Sequence, residues 1–220
     1  MVEQLTFQLE NAGSNPSAPL HYIIEPIRHD AAKDFVERWH YSHLMPTGKN
    51  ICYGLKRKGS IYAVIVYGIG VNPYQAQFLG VDSCIEIKRM CRREPKEDYF
   101  LSRFINLTTK IIKRSKDFDA VVAFADPEHG HQGTVYKAAG YEYSGLTNPE
   151  WHLEDEFGNR FHRRIAYRMA RRNKIEIGEA RNELNLHRIK TEPKHRWVRF
   201  FKIKTDRRGS SGCGTSQNAL

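Results

Sequence analysis

The sequence predicts a single mixed α/β domain with a basic C-terminal extension. The chain has 220 residues, a length that suits one domain with extensions better than two full domains. Hydrophobic residues make up 40% and charged residues 27%, as is typical of a globular protein with a real core. Segments with the period of strands alternate along the chain with segments of helical period. This order favours a mixed central sheet with helices on both faces.

The strands are indicated by apolar runs between turn residues. Residues 120–125 are continuously apolar, which is typical of a central buried strand. Turn residues at 57–60 separate two apolar stretches and predict a hairpin. The expected strands span residues 21–26, 50–56, 61–70, 84–91, 120–125, 141–146, 161–169 and 195–204.

The helices are indicated by apolar residues three and four positions apart. Residues 99–115 show this spacing, so one face of a long helix is expected to cover the sheet. A short helix at 134–139 ends at Gly140, a residue suited to a left-handed cap. Two further helices are expected at residues 30–40 and 175–190.

The chain is expected to divide into four parts. Residues 1–20 end in a stretch rich in Gly, Ser, Asn and Pro and are expected to form a flexible arm. Residues 21–172 would form the α/β domain, and residues 173–208 a basic, aromatic extension packed on or beside it. Residues 209–220 are small and polar, which predicts a disordered tail.

The positive charge of the chain lies in its last part. Residues 1–159 contain 18 Lys and Arg against 20 Asp and Glu, whereas residues 160–220 contain 17 against 5. This asymmetry favours a polyanionic partner such as double-stranded DNA, although a basic tail can also serve solubility alone. Basic and aromatic residues interleave at 195–204, which favours nucleic acid. The residues expected to bind DNA phosphates are Lys194, Arg196, Arg199 and Lys202.

Several classes of protein are excluded by the composition. The longest apolar run, 61–71, has eleven residues, whereas a membrane span needs about 20. No membrane partner and no secretory signal are therefore expected. Four cysteines without a C-x-x-C pair favour reduced thiols in a cytoplasmic protein over a disulfide scaffold or a zinc ribbon. The oligomeric state stays open, a dimer included.

The segment TVYKAAGYE, residues 134–142, resembles the cleft helix and following strand of GCN5-related N-acetyltransferases. In that family a tyrosine on the short helix protonates the departing thiolate of coenzyme A, which implies this role for Tyr136. The alternative is that Tyr136 packs under the sheet. The family's glycine-rich phosphate loop is replaced here by residues 92–98, which contain Pro95 and no glycine. The donor can therefore be acetyl coenzyme A or another activated molecule.

A narrower resemblance covers residues 35–205 and concerns the phage Mom DNA-modification proteins, a divergent branch of the acetyltransferase fold. It implies transfer of an N6-carbamoylmethyl-type group to adenine in DNA, which protects phage DNA from restriction. The resemblance lies in the order and spacing of Arg89, Leu101-Ser102-Arg103, Asp126, Gly130-x-x-Gly133-x-x-Tyr136 and Gly140, with His40-Tyr41-Ser42 upstream and Lys194-His195-Arg196-Trp197 downstream.

The position of each candidate catalytic or donor-binding residue in the sequence also suggests a role for it. Asp126 ends the central strand, where ligands bind in α/β proteins; it can take a proton from an amine or merely cap the next turn. Arg89 alternates with apolar residues of a strand and needs an anionic partner, either a donor phosphate or a nearby glutamate. Ser102 and Arg103 lie near the start of the long helix, where they would contact the donor; a plain capping or surface serine is the alternative for Ser102.

Three further residues are expected near the reacting atoms. Tyr53 would face the cleft and stack on a base, or pack in the core. His40 and Tyr41 lie in a loop of the kind that contacts substrates. The Mom resemblance allows iron near His40, Tyr41 and Asp126. Acidic and histidine residues at 126–131 also resemble metal ligands in type, although such a run can equally be a solvated loop.

Two other functions stay open at this point. One is an ordinary acetyl coenzyme A-dependent N-acetyltransferase acting on a peptide or a small amine. The other is a non-catalytic DNA-binding protein on the same fold. An enzyme with an enclosed cleft that acts on adenine must flip the base out of the stack, at a cost of a few kcal/mol.

Overall fold

The protein is built on an eight-stranded mixed sheet beside a smaller three-stranded one. The computed structural model describes residues 5–9, 20–70, 74–93, 100–161 and 163–201. In chain order the strands are β1 (Leu5–Leu9), β2 (Leu20–Pro26), β3 (Asn50–Arg57), β4 (Ser60–Gly68), β5 (Cys84–Arg92), β6 (Ala120–Ala125), β7 (Glu142–Leu146), β8 (Trp151–Glu154), β9 (Arg160–Phe161), β10 (His187–Lys190) and β11 (His195–Phe200). The large sheet has the order β1-β2-β3-β4-β5-β6-β11-β7, and the small one β10-β8-β9. Among the strands of the described residues, only β5 and β6 pair in parallel, so the sheet is mixed, as predicted.

Helices cover both faces of the large sheet, which confirms the predicted fold class. On one face, α1 packs against apolar residues of β3 and β4 such as Cys52 and Val64. On the other face, α3 and α4 pack against the alternate residues of the same strands, such as Ile65. The helices are α1 (His29–Trp39), α2 (Gln75–Leu79), α3 (Phe100–Ser115), α4 (Thr134–Ala138), α5 (Arg164–Asn173) and α6 (Ile177–Glu183).

The packing of the core explains why the sequence predicts β6 and α3. Val121 and Ala123 of β6 face α3, while Val122 faces the opposite side. Because both faces of β6 are covered, every position selects an apolar side chain. Phe104 and Ile105 of α3 are fully buried under the sheet, as the helical spacing predicted.

The basic, aromatic strand β11 lies inside the large sheet. It pairs antiparallel with β6 on one side and with β7 on the other, and its Val198 is fully buried. The structure therefore differs from the prediction of an extension on or beside a domain that ends at residue 172: this strand completes the sheet. Lys202 and the predicted tail at 209–220 lie outside the described residues.

Two further segments differ from the prediction. Residues 161–169 were expected to form a strand, but most of them belong to helix α5. Ala166 and Ala170, four positions apart, are both buried, and this helical period was hidden by an accidental alternation of polar and apolar residues. The expected helix at 175–190 is instead the short helix α6 followed by β10. Within the expected N-terminal arm, residues 5–9 form β1 and pair with β2.

Two simpler observations concern the thiols and the helices. The cysteines among the described residues, Cys52, Cys84 and Cys91, are all free. Over the same part of the chain, every helix is too short or too polar to cross a membrane.

Candidate active site

A gap opens in the sheet between β5 and β6. The two strands pair only along Cys84–Ile87 of β5, although β5 continues to Arg92 and β6 to Ala125. Beyond this point the facing backbone groups of the two strands are not joined to each other, so they are available to a ligand. Ligands of α/β proteins bind at the carboxyl ends of parallel strands, which makes this gap the candidate active site.

A β-bulge at Lys88 sets the direction of the side chains along one edge of the gap. Val66 and Tyr67 of β4 are consecutive, yet they pair with Arg89 and Ile87 of β5, which leaves Lys88 as the extra residue. Ile87 faces α3, whereas Arg89 shares the α1 face with its partner Val66. A strict alternation along β5 would put Arg89 on the face of Ile87, and the bulge reverses this.

Arg89 is held by the loop that follows α1. Its Nε donates to the carbonyl of Leu44 at 3.0 Å. Burial lowers the pKa of the Arg89 guanidinium, whereas the neighbouring Tyr41 and Glu86 raise that pKa. Ser102 and Arg103 lie in the first turn of α3, on the opposite face of the sheet. The three residues expected to bind the donor therefore do not form one group.

Asp126 stands at the end of β6, at the mouth of the gap. Its carboxylate lies 3.2 Å from Nζ of Lys194 and is only 12% exposed. It also accepts a hydrogen bond from the backbone N–H of Glu128 at 3.2 Å, so the capping role and the ion pair coexist. Lys194 was expected to bind DNA phosphates, but it is the partner of Asp126 because β11 begins beside the end of β6.

Three aromatic rings lie together at the same mouth. The ring centroid of Tyr41 is 4.2 Å from that of His40 and 3.9 Å from that of His129. Burial, helped by the charge of Arg89, lowers the pKa of His40 to about 3, so this ring is neutral near pH 7. Burial and the charge of Asp126 raise the pKa of Tyr41. The structure thus brings His40, Tyr41 and Asp126 together.

Tyr136 and Tyr53 both lie in the apolar layer under α3. Tyr136 is 8% exposed, and its burial raises its pKa, with Tyr41 and Glu86 adding to the effect. Its phenol therefore keeps its proton at neutral pH. Tyr53 is 6% exposed and packs edge-on against Tyr67 at 6.2 Å. For Tyr53 the structure shows core packing.

The arginines of β11 have partners inside the fold. Arg196 is 8% exposed, and its guanidinium lies 4.1 Å from the ring centroid of Phe78. Arg199 donates to Oδ1 of Asn106 at 2.6 Å and to the carbonyl of Ala139 at 2.9 Å, which joins β11 to α3 and to the end of α4. Both cations therefore have contacts inside the fold rather than on a free basic surface.

A further basic surface lies on α5, within the region 160–220 that carries the excess of positive charge. Residues 160–174 contain seven Lys and Arg and no Asp or Glu, and this charge run was the available signal. Tyr167 is 53% exposed among these cations. Among the described residues, no carboxylate forms an ion pair with the exposed cations that we call the α5 basic face. These are Arg163, Arg168, Arg171, Arg172 and Lys174.

The small sheet is tied to the turn that carries Asp126. Arg160 of β9 donates to the carboxylate of Glu128 at 2.8 Å and to that of Glu154 at 3.2 Å. Glu128 also accepts the backbone N–H of Glu192 at 3.0 Å. Because α5 follows β9 directly, the α5 basic face has a defined position relative to the gap.

The arrangement of these residues does not fit an iron ion. Within the described part of the chain, no three His, Cys, Asp or Glu side chains are grouped closely enough to hold a metal. Nδ1 of His40 accepts a hydrogen bond from the backbone N–H of Ser42 at 3.0 Å. The neutral ring therefore carries its proton on Nε2, and neither nitrogen offers a free lone pair to a metal.

The fold resembles solved N-acetyltransferases. Ribosomal-protein-S18-alanine N-acetyltransferase from Escherichia coli superposes with a TM-score of 0.50 at 6% identity, covering 84% of this chain and 97% of that one. Ribosomal-protein-S5-alanine acetyltransferase from Vibrio fischeri gives 0.49 at 11% identity, covering 89% and 96%. A Bacillus subtilis acetyltransferase in complex with CoA gives 0.43 at 13%, covering 80% and 97%. At such low identity the likeness concerns the fold alone.

Sequence comparison identifies the family. No curated protein sequence matches this chain. The model of the Mom protein family matches residues 21–212, a range that includes β2 to β11, the gap, Asp126, Tyr136 and the α5 basic face. Since this match spans far more than half of the sequence, the chain belongs to the Mom protein family.

Proposed function

We propose that the protein is a transferase that modifies the N6 amine of adenine in double-stranded DNA, with the carbamoylmethyl-type group that the Mom resemblance implies. The observation that carries the proposal is the α5 basic face, whose cations have no carboxylate partners among the described residues and which is held beside the gap through Arg160 and Glu128. A basic surface beside the gap suits DNA, which is a polyanion, better than a peptide or a small amine.

The α5 basic face would bind the phosphate backbone. A helix of ten residues is about 15 Å long, which is enough to contact several phosphates. Arginine and lysine bind phosphates without reading the base sequence, and each contact releases counterions. This surface would therefore supply affinity, while the gap would supply the selection of adenine.

The chemical step needs a proton acceptor and a proton donor at the gap. The flipped adenine would lie against the exposed rings at the mouth, Tyr41 and His129. A new bond forms between N6 and the transferred carbon as the bond from that carbon to its leaving group breaks. The N6 proton passes to the carboxylate of Asp126, and the leaving group takes the proton of the Tyr136 hydroxyl. Burial keeps that hydroxyl protonated beforehand.

A donor with an extended amide-bearing arm, of the kind found in coenzyme A, would suit the gap between β5 and β6. The unjoined backbone groups beyond Ile87 can bind such amides as a neighbouring strand would. When bound, a donor of this kind supplies an activated carbon and a stable leaving group. Residues 94–98 of the segment that replaces the glycine-rich loop lie outside the described residues.

The direct test is mass spectrometry of deoxynucleosides from plasmid DNA after expression in bacteria. The wild-type protein should produce a modified deoxyadenosine. Tyr136→Phe and Asp126→Asn should lower its amount by about 10²–10⁴, the usual contribution of one acid or base. Tyr143→Phe is the matched control, because Tyr143 is 52% exposed on β7. This variant should modify DNA normally.

The outcome also separates this function from the alternatives. A folded wild-type protein that leaves deoxyadenosine unchanged contradicts the proposal. Tight binding of acetyl coenzyme A in calorimetry, together with acetylation of a peptide, would then favour an ordinary N-acetyltransferase. DNA binding without any modified nucleoside would favour a non-catalytic DNA-binding protein.

The DNA-binding surface has its own test. Arg168→Gln, Arg171→Gln and Arg172→Gln together should reduce the slope of log affinity against log salt by up to about 2.7, since each phosphate contact contributes about 0.9. The matched control is Lys110→Gln, Lys113→Gln and Arg114→Gln on α3, where three exposed cations are lost from another helix. If both triple variants keep the wild-type slope, the α5 basic face does not bind DNA.

A further inference from the structure

An exposed phenylalanine stands at the tip of the hairpin between β8 and β9. Phe157 is 81% exposed, more than any other large hydrophobic residue in the described part of the chain. It belongs to none of the buried apolar clusters there. A polar residue would serve a solvent-exposed turn equally well, so packing within this chain does not explain an aromatic ring at this position.

The hairpin tip is held in one conformation by Asp155. The carboxylate of Asp155 accepts hydrogen bonds from the backbone N–H of Phe157 at 3.0 Å and from that of Asn159 at 2.8 Å, and a third from the Asn159 side-chain amide at 2.8 Å. Gly158 completes the turn with a φ of +79°. These hydrogen bonds lower the pKa of Asp155, so the turn stays closed at neutral pH. The ring of Phe157 is therefore presented on a pre-organised turn.

The tip lies close to the gap in the sheet. Arg160, three residues after Phe157, reaches Glu128 at 2.8 Å, and Glu128 is two residues from Asp126. Three residues span at most about 10 Å, or about three base-pair steps of duplex DNA. Phe157 therefore lies no farther than this from Arg160, whose side chain contacts the turn that carries Asp126. The α5 basic face begins three residues after Arg160, at Arg163.

We infer that Phe157 is a wedge that enters the base stack of duplex DNA and holds the target adenine out of it. This inference rests on the proposed function, since only an enzyme that flips a base needs such a wedge. Apolar side chains inserted between base steps unstack them at a cost of a few kcal/mol, and the flipped base leaves a space that a ring can fill. The α5 basic face would hold the flanking phosphates while the ring enters.

The test uses duplexes that carry a site modified by the wild-type protein, with 2-aminopurine in place of the target adenine. Binding of the wild-type protein should raise the 2-aminopurine fluorescence, because the base leaves the stack. Phe157→Ala should bind with a similar dissociation constant and an unchanged salt slope, since the ring contacts no phosphate. Phe157→Ala should not raise the fluorescence of the fully paired duplex. It should raise the fluorescence of a duplex in which an abasic site lies opposite the 2-aminopurine. Phe157→Leu should keep most of the signal.

The same variants are then compared in cells by the amount of modified deoxyadenosine. Phe157→Ala should lower this amount by at least about tenfold, because the unstacking cost is no longer offset. Tyr74→Ala, which removes an aromatic ring that is 68% exposed before α2, is the matched control and should modify DNA normally.

Three results would overturn the wedge. One is a fluorescence rise with Phe157→Ala on the paired duplex equal to that of the wild type. Another is an equal loss of the fluorescence rise with Phe157→Ala on the paired duplex and on the duplex with the abasic site, which would indicate a general structural role of Phe157. The third is wild-type modification without any fluorescence rise. A wild-type protein that modifies no DNA contradicts the proposed function itself.

Discussion

His40 is buried as a neutral ring, and this makes the stability of the protein depend on pH. Burial and, next, the charge of Arg89 lower its pKa from 6.5 to about 3. Between these two values the unfolded chain binds a proton that the native protein does not bind. The free energy of unfolding therefore falls as the pH decreases through this window. Between pH 7 and pH 5 the contribution of His40 amounts to a loss of about 2 kcal/mol.

Urea unfolding at pH 7, 6 and 5 measures this contribution. His40→Asn should lose about 2 kcal/mol less stability over this range than the wild type, because asparagine does not titrate. Its side-chain oxygen can still accept the N–H of Ser42, which donates to His40 in the wild type. His43→Asn changes an exposed histidine nearby and should follow the wild-type pH dependence. If His40→Asn follows it too, the buried ring does not cause the effect.

The sequence predicts the position of a candidate residue where local geometry alone decides that position. Asp126 directly follows an apolar strand of six residues, so its place at the mouth of the gap could be read from the sequence. Arg89 could not be placed, because the bulge at Lys88 leaves no mark in a single sequence. The partners of Lys194 and Arg199 depend on where β11 enters the sheet, which is a long-range property.

At the scale of elements, Gly133 joins the turn after β6 to α4 and lies against β11. Its φ is +84°, and a Cβ there would come within 1.9 Å of Nε1 of Trp197. Gly130 has a φ of +72° but open space around it. Alanine at 130 should therefore lower the free energy of unfolding by only about 1–2 kcal/mol, which is the cost of a left-handed backbone conformation for a residue with a Cβ. Alanine at 133 should cost about 1–3 kcal/mol more, because the ring of Trp197 must move.

Chemical denaturation of the two single variants gives this difference directly. Adding Trp197→Phe to Gly133→Ala should recover part of the loss, since the smaller ring removes the atoms nearest to the new methyl group. Equal losses for Gly130→Ala and Gly133→Ala would show that the contact between the turn and β11 does not limit this position.

Elements were predictable where one period dominates and ambiguous where two compete. The apolar spacing of α3 indicates only a helix, and the continuous apolar run of β6 indicates only a buried strand. Both elements were predicted to within about a residue. Residues 161–169 show both a polar–apolar alternation and a four-residue apolar period. The burial of Ala166 and Ala170 stabilises the helix rather than a strand. The position of β11 between β6 and β7 depends on pairing across more than 70 residues of sequence on one side, which no local pattern reports.

The proposed function requires two units of the molecule to act on one DNA duplex. The large sheet carries the gap and Asp126, whereas the small sheet carries Phe157 and leads into α5. Arg160 connects them through Glu128, and it also forms an ion pair with Glu154 inside the small sheet. Its side chain is 51% exposed, so these ion pairs contribute only about 0–1 kcal/mol to stability. Their main effect is on the position of the small unit relative to Asp126.

Arg160→Gln should therefore separate stability from activity. We expect the free energy of unfolding to change by less than about 1 kcal/mol, because the core is untouched. The amount of modified deoxyadenosine should fall by about ten- to a hundredfold, since small misplacements of a bound substrate have effects of this size on rate. Unfolding in urea and mass spectrometry of plasmid nucleosides measure the two quantities on the same protein.

A control and a charge reversal complete this experiment. Lys190→Gln removes an exposed cation from β10 of the same small sheet and should leave modification near the wild-type amount. Arg160→Glu alone should be at least as inactive as Arg160→Gln, because two carboxylates would then face each other. Adding Glu128→Arg restores opposite charges across the same contact and should recover part of the activity. If Arg160→Gln modifies DNA as well as Lys190→Gln does, the two units do not depend on this contact for their alignment.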